Sequence, residues 1–263
     1  MSAPAALRYV MPLIVGAIVL GAWETLVRYY AVPVFVLPAP SEIARAFVAD
    51  FSSLLASLWA TLRVTWIAFA LAVISGSALA ILFSQSRLVE MALFPYAVIL
   101  QVTPVIAIAP LILIWVGFDR VELALVLIAW IVAFFPVLSS MTVGLRSADA
   151  NLVDLFRLYG ASRGQRIRLL QFPGALPFLL NGMKIAGGLA LIGAVVAEFV
   201  AGSGTATGLA WRIIEAGNRL EIARMFAALA LLSAVGIVNF YALAALEFVC
   251  LRRWHESAIT KES

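Results

Sequence analysis

The feature that most constrains this chain is a set of four long apolar stretches that contain no Asp, Glu, Lys or Arg. They cover residues 64–86, 91–118, 123–145 and 225–246. A helix needs about 20 apolar residues to cross the hydrocarbon core of a bilayer, and each stretch is long enough. Only helices and closed barrels satisfy all their backbone groups in lipid. We therefore expect an all-α polytopic membrane protein.

Two further segments complete the predicted spans, although each meets a charge. One is the apolar run 9–23, which ends at Glu24 and which we interpret as a retained helix rather than a cleaved leader. The other is 177–201, which contains Lys184 and Glu198. The composition agrees, since 64% of the residues are hydrophobic and the mean hydropathy is +1.07. We predict one transmembrane domain, residues 1–263, with six spans at residues 9–28, 58–84, 91–117, 121–145, 177–200 and 225–249.

The distribution of basic residues predicts the orientation of these spans. If the N-terminus lies inside, the cytoplasmic segments hold ten Lys and Arg residues and the outer segments hold five. Cytoplasmic segments carry this excess in membrane proteins, so we predict that both termini are cytoplasmic. The segment between the fourth and fifth spans is then the largest cytoplasmic loop. It holds Arg146, Arg157, Arg163, Arg166 and Arg168.

The loop 146–176 has the pattern of a helical hairpin. Apolar residues recur at helical spacing before Gly160, which can end a first helix with a positive φ. Ser162 is placed to cap a second helix, and Pro173 is expected to stop it. The apolar face of such a hairpin has no partner of its own in the loop. We interpret it as a docking surface for another protein.

Two other interpretations of the arginine-rich loop exist. The arginines could bind anionic lipid headgroups, and spacing alone does not separate this from protein docking. A DNA-reading helix–turn–helix is disfavoured, because a segment tethered to spans at both ends is poorly placed to enter a groove. The net charge of +4 follows the positive-inside pattern, so we predict no nucleic-acid partner.

Prolines and charges within the predicted spans mark a candidate path across the membrane. Pro104 and Pro110 fall in the third span, where each removes a backbone donor and can kink the helix. This fits a broken helix that lines a path, and equally it fits ordinary kinked packing. Lys184 and Glu198 are further candidates, since charges within spans are costly and usually functional. Lys184 could instead snorkel, and for Glu198 we favour capping of the Gly-rich turn that follows, around Gly202, Gly204 and Gly208.

The arginine-rich loop resembles a segment of a known protein family. The segment DLFRLYGASRGQRIRLLQFPGALP resembles the cytoplasmic coupling loop of binding-protein-dependent ABC transporter permeases. That loop has the pattern E-A-A-x-x-x-G, then nine residues, then I-x-L-P. Asp154 takes the Glu position, Gly160 the Gly position and Pro173 the Pro position. Leu155 and Phe156 replace the two alanines, which makes this part bulkier than the pattern.

Other segments resemble the nitrate, sulfonate and taurine branch of these permeases. They are VLPAPSEIARAF, SLWATLRVTWIAFALA, TPVIAIAPLILIWVGF and AVVAEFVAGSGTATGL, and the likeness covers about residues 36–250. The resemblance implies a type I importer (MetI-like) fold in the bacterial plasma membrane. It also implies an ABC ATPase subunit, a periplasmic or lipoprotein substrate-binding protein and a second permease copy as partners.

The resemblance further implies how the work is divided among the subunits. The chain has no Walker A motif, so ATP–Mg would be bound by the partner ATPase and this chain would not be an enzyme. The solute would be small and anionic or organic: nitrate, a sulfonate, taurine or a vitamin precursor. The residues expected to couple to the ATPase are Asp154, Tyr159, Gly160, Ala161, Ser162 and Pro173.

Two alternatives to the permease belong to other classes of protein. A membrane-embedded enzyme would need a catalytic or metal site, and the chain has one Cys and one His, the His in the C-terminal tail. A secondary transporter would normally show more acidic residues within its spans and an inverted repeat, and it would need no projecting loop. We therefore predict no catalytic and no metal-binding residues.

Overall fold

The protein folds into a bundle of α-helices. The computed structural model describes residues 5–202 and 207–252. Gly204 of the predicted Gly-rich turn, and Arg253, His255 and Lys261 of the tail, lie outside the described residues. The helices are α1 Ala5–Tyr29, α2 Pro40–Ala49, α3 Phe51–Gln85, α4 Arg87–Val102, α5 Val105–Val116, α6 Val121–Arg146, α7 Ala150–Leu158, α8 Arg163–Arg166, α9 Phe172–Ala201, α10 Leu209–Asn218 and α11 Ile222–Leu251.

The core of the bundle lies between α3, α6 and α9. These helices approach closely because small residues face one another. A Cβ on Gly193 of α9 would come within 2.8 Å of the Cα of Ala129 on α6, and a Cβ on Gly76 of α3 would come within 3.1 Å of Val137. The fully buried Met141 and Leu138 fill the centre of the largest apolar cluster. Close backbone approach through small residues is typical of helix association in membranes.

The helices agree with the six predicted spans in number. Within the described residues, five helices are long and apolar enough to cross a bilayer, and one bent pair would make a sixth. Most helices extend beyond the predicted limits. α3 begins seven residues before the predicted span 58–84, and α9 begins at Phe172 rather than at Pro177.

The third predicted span, 91–117, is broken. α4 and α5 meet at an angle of 102°, and the two-residue break is Thr103–Pro104. Thr103 is extended, with φ −66° and ψ 126°, which is the conformation that a following proline imposes. Pro95 and Pro110 lie inside helices, so only one of the three prolines coincides with the sharp bend.

The predicted hairpin is present, but its second arm differs from the prediction. α8 makes a single turn and passes into a π-helical segment, Ile167–Gln171, that runs directly into α9. The expectation that Pro173 stops this helix was wrong. Pro173 lies within a continuous helix, directly after the π-helical segment, where the change in hydrogen-bond pattern accommodates a residue without an N–H.

The short helices α2 and α10 lie together on the side that the charge distribution assigns to the exterior. Leu209 of α10 is fully buried and packs with Leu54 of α3 and with Ala227 and Ala228 of α11. Conversely, most described side chains of α1 are exposed, as expected for a helix that faces lipid or another subunit.

Candidate functional site

The hairpin turn is built by two local motifs, and the first ends α7. Gly160 has φ +67° and its N–H donates to the carbonyl of Arg157 at 3.0 Å. The N–H of Ala161 donates to the carbonyl of Phe156 at 2.9 Å. This pair of bonds is the Schellman motif, and a positive φ at that position favours glycine. The predicted role of Gly160 as a helix cap is confirmed.

The second motif begins α8 two residues later. The Ser162 hydroxyl accepts the N–H of Gln165 at 3.3 Å, and the Gln165 side chain accepts the N–H of Ser162 at 2.7 Å. This capping box confirms the predicted role of Ser162. Two caps in succession give the turn 159–162 a defined shape through hydrogen bonds within the hairpin.

The hairpin presents apolar side chains that the bundle does not cover. No residue of α7 is buried. Leu158 is 86% exposed and Tyr159 is 83% exposed, while Leu152 and Leu155 are also exposed. Asp154 and Arg157 pair across one turn at 2.9 Å and lie on the surface. An apolar strip on a projecting helix with a polar rim is the pattern of a protein-docking surface.

The hairpin is attached to the bundle at its base by polar contacts. Arg146, the last residue of α6, makes an ion pair with Glu90 of α4. The side-chain amide of Gln171 donates to the carbonyl of Leu145 at 3.3 Å. Beside these contacts lies an open cavity of about 630 Å³ with Arg87, Val153 and Gln171 in its lining.

The six predicted coupling residues do not form one cluster. Tyr159, Gly160, Ala161 and Ser162 make up the turn, and Asp154 lies on the helix that enters it. Pro173 lies at the start of α9, beyond the π-helical segment, and is therefore part of the base rather than the tip.

The four predicted path residues lie in three different settings. Pro104 and Pro110 are exposed on the broken span, at the bend and in the middle of α5. Lys184 of α9 makes an ion pair at 2.6 Å with Glu247 of α11, and both side chains are 21% exposed. The fourth, Glu198, is 1% exposed.

Glu198 binds two neighbouring helices. Its Oε1 accepts from the hydroxyl of Thr61 on α3 at 2.7 Å, and its Oε2 accepts from the N–H of Ala210 on α10 at 2.9 Å. The Thr61 oxygen in turn accepts the N–H of Leu209 at 2.9 Å. The carboxylate thus caps the N-terminus of α10, which follows the Gly-rich turn.

Sequence reasoning did not find the partners of these charges. Thr61 and Asn239 are ordinary polar residues in apolar runs, and Glu247 lies near the end of the last predicted span. Asn239 donates to the carbonyl of Gly187 at 2.9 Å and joins α11 to α9 beside the Lys184 pair. A buried polar residue in a span was the available signal, since such a group must find a partner.

These observations define a class: a multi-span helical membrane component with a helical hairpin whose apolar residues are exposed. The comparison with known families agrees. Residues 69–249 match the family of binding-protein-dependent transport system inner membrane components, and the chain belongs to that family. It is the inner-membrane permease of a binding-protein-dependent ABC importer and is not itself catalytic. Such a system includes an ATPase and a substrate-binding protein.

Similar permeases span almost the whole chain. The riboflavin transport system permease protein RibX of Chloroflexus aurantiacus is 36% identical over 89% of this chain and 86% of its own. The formylaminopyrimidine transport permease protein ThiX of Halalkalibacterium halodurans is 33% identical over 87% and 90%. The putative aliphatic sulfonates transport permease protein SsuC of Bacillus subtilis is 30% identical over 85% and 80%.

The fold also matches a solved structure. An inward-facing conformation of the MetNI methionine ABC transporter contains a chain with a TM-score of 0.66 and 18% identity. The match covers 76% of this chain and 96% of the other. This identity is low, so the likeness shows the fold alone. The predicted MetI-like fold is confirmed.

Proposed function

We propose that the loop 146–176 is the element through which the partner ATPase drives this permease. One observation carries the proposal: the tip of the hairpin is rigidly capped and yet its apolar residues Leu158 and Tyr159 are almost fully exposed. Apolar side chains on a turn whose backbone is already ordered give contact area at a smaller entropic cost. Asp154, Tyr159, Gly160, Ala161 and Ser162 contact the ATPase in this proposal, and Pro173 holds the base.

The transport path in this proposal lies between two copies of the chain. Within the bundle, α3, α6 and α9 pack closely through small residues, which leaves little space for a path between these helices. Symmetric homodimers are the commonest assemblies, and a path on the twofold axis needs no additional chain. ATP-driven closure of the ATPase pair moves the two hairpins together, and the bundles rock between inward and outward openings.

Within this arrangement the broken span is placed at the path. Backbone that departs from a helix at membrane depth is tolerated only where protein or a water-filled cavity covers it, and the exposed bend at Pro104 needs such cover. Pro110 continues the same surface on α5. Lys184 and Glu198 are assigned positions behind the path, because their charged groups bind Glu247 and the outer helix α10.

For the solute we propose a small heterocyclic vitamin precursor. The relatives named for riboflavin and for formylaminopyrimidine share 36% and 33% identity with this chain, and the one named for aliphatic sulfonates shares 30%. Riboflavin and formylaminopyrimidine both contain a pyrimidine ring. The ring shared by the two more similar relatives is what favours this class over sulfonates, taurine and nitrate.

The test is reconstitution in proteoliposomes. The chain is produced with its partner ATPase and binding protein, and uptake of riboflavin, formylaminopyrimidine, taurine and nitrate is measured with and without ATP. We expect an ATPase to purify with the chain and only a pyrimidine-containing solute to accumulate. Accumulation of taurine or nitrate alone would show that the proposed class of solute is wrong. Uptake by the chain without any ATPase would contradict the coupling proposal and indicate a secondary carrier.

A further inference from the structure

A buried pair of side chains joins three helices on the predicted outer side. Glu198 of α9 and Thr61 of α3 are each 1% exposed and are hydrogen bonded to each other at 2.7 Å. Together they accept the first two N–H groups of α10, from Leu209 and Ala210, each at 2.9 Å. The Thr61 hydroxyl and both carboxylate oxygens of Glu198 therefore have partners. Such a fully satisfied buried network stabilises one arrangement of its helices.

The fit around this pair leaves little space for α10 to move alone. Gly208 comes directly before α10, and a Cβ at this position would overlap the carboxyl group of Glu198. Leu209, the first residue of the helix, is fully buried. Displacing α10 would take the N–H of Ala210 away from the buried carboxylate and the N–H of Leu209 away from the buried hydroxyl. That cost favours movement of α10 together with α9 and α3.

α10 is also the centre of the charged outer surface. Arg212 donates to Ser57 of α3 at 3.0 Å and to Glu215 at 2.8 Å. Beyond the end of α10, Arg224 in the first turn of α11 pairs with Asp50, the residue between α2 and α3. A displacement of α10 therefore changes the contact of Arg212 with Ser57 of α3.

The other end of α9 is continuous with the hairpin. The π-helical segment Ile167–Gln171 passes into α9 at Phe172 without a break in the helix, and α9 runs to Ala201. One helix thus connects the ATPase-docking hairpin to Glu198. We infer that Thr61 and Glu198 are positioning residues that make α10 move with α9, so that the state of the ATPase reaches the outer surface. This inference rests on the proposed coupling role of the hairpin.

The experiment measures whether α10 responds to the nucleotide state. A single cysteine replaces the exposed Asn218 at the end of α10, in a Cys250→Ser background, and the complex with the ATPase is placed in nanodiscs. Its rate of reaction with a membrane-impermeant maleimide is compared without nucleotide and after trapping with ATP–Mg and vanadate. We expect trapping to change the rate about fivefold or more, the usual size of a coupling between sites.

The variants separate positioning from folding. Thr61→Val removes the hydroxyl at nearly constant volume, Thr61→Ser keeps it, and Glu198→Gln keeps only part of the acceptor capacity. We expect Thr61→Val and Glu198→Gln to bind the ATPase and trap vanadate as the parent does, but to lose the nucleotide-dependent change in rate. Thr61→Ser should retain that change.

Each other outcome has a definite meaning. An unchanged response in Thr61→Val, or no response in the parent although vanadate is trapped, would overturn the inference. Loss of assembly in both Thr61→Val and Glu198→Gln, with assembly kept in Thr61→Ser, would show a role in folding and also overturn it. If no ATPase binds the parent chain, the proposed function itself fails, and this result is visible before any variant is made.

Discussion

At the scale of single residues, Gly160 is the position where the hairpin depends most on one amino acid. Its φ of +67° lies in the left-handed region, which costs residues with a Cβ roughly 1–2 kcal/mol. No atom lies within 4 Å of the place where a Cβ would be, so the cost of a substitution is conformational and not steric. The substitution therefore tests the shape of the turn without disturbing packing.

We predict that Gly160→Ala uncouples transport from ATP hydrolysis. The turn would shift towards other conformations, and a bias of 1–2 kcal/mol changes a population about 5–30-fold. Uptake in proteoliposomes should fall by about this factor while ATP hydrolysis continues. Gly164→Ala is the matched control, because Gly164 is helical, has no atom within 4 Å of its Cβ position and has no positive φ. Equal uptake in both variants would contradict the prediction.

At the scale of helices, the contact of α9 with α11 depends on the ion pair between Lys184 and Glu247. Both side chains are 21% exposed and the two atoms Nζ and Oε2 are 2.6 Å apart. In an apolar environment each charge would be costly without the other. The nearby bond from Asn239 to Gly187 ties the same two helices together.

We predict that losing one member of this pair destabilises the protein more than losing both. Lys184→Met and Glu247→Leu should each lower the free energy of unfolding by about 1.5–3 kcal/mol, and the double variant by less than either. Thermal unfolding in detergent measures the stability of each variant and therefore ranks the three. Arg157→Met, which removes an exposed ion pair with Asp154, should change stability by less than about 1 kcal/mol. If the double variant lost as much stability as the two single variants added together, the two residues would not stabilise each other.

The π-helical segment is the second feature at this scale. The N–H of Phe172 reaches the carbonyl of Ile167, five residues back, so the helix carries one residue more than an α-helix would. Such segments are frequent at functional sites. Here it joins the exposed hairpin to the helix that holds Glu198.

Deleting Leu169 should convert this segment to a regular α-helix. The deletion rotates the hairpin relative to α9, so we predict that the ATPase still binds while ATP-driven uptake falls about tenfold or more. Leu169→Ala is the control, because Leu169 is 62% exposed and the substitution keeps the length. Normal uptake by the deletion variant would show that the extra residue has no part in coupling.

At the scale of the whole molecule, the predicted orientation places the hairpin inside the cell and α10 outside. Cysteines at Arg163 and Asn218, each in a Cys250→Ser background, should therefore react with impermeant maleimide from opposite sides of the membrane. We expect Arg163→Cys to react only in inside-out vesicles and Asn218→Cys only in intact spheroplasts. The reverse pattern would remove the basis for docking of a cytoplasmic ATPase.

The sequence by itself determined the features that depend on neighbours in the chain. The length of the apolar stretches predicted the spans, because burial in lipid depends on about 20 consecutive residues. The caps at Gly160 and Ser162 were predicted because a helix end is satisfied by groups within three or four residues. The resemblance of the same hairpin to a coupling loop then predicted the class of protein.

Only the tertiary structure decided the features that depend on distant residues. Thr61 and Glu198 are 137 residues apart in sequence, and Lys184 and Glu247 are 63 apart, so no local pattern pairs them. The tolerance of Pro173 depends on a change in helix type just before it. Spans and caps depend on residues that are close together in one helix, so the sequence predicts them. The partners of buried charges depend on how separate helices pack against one another.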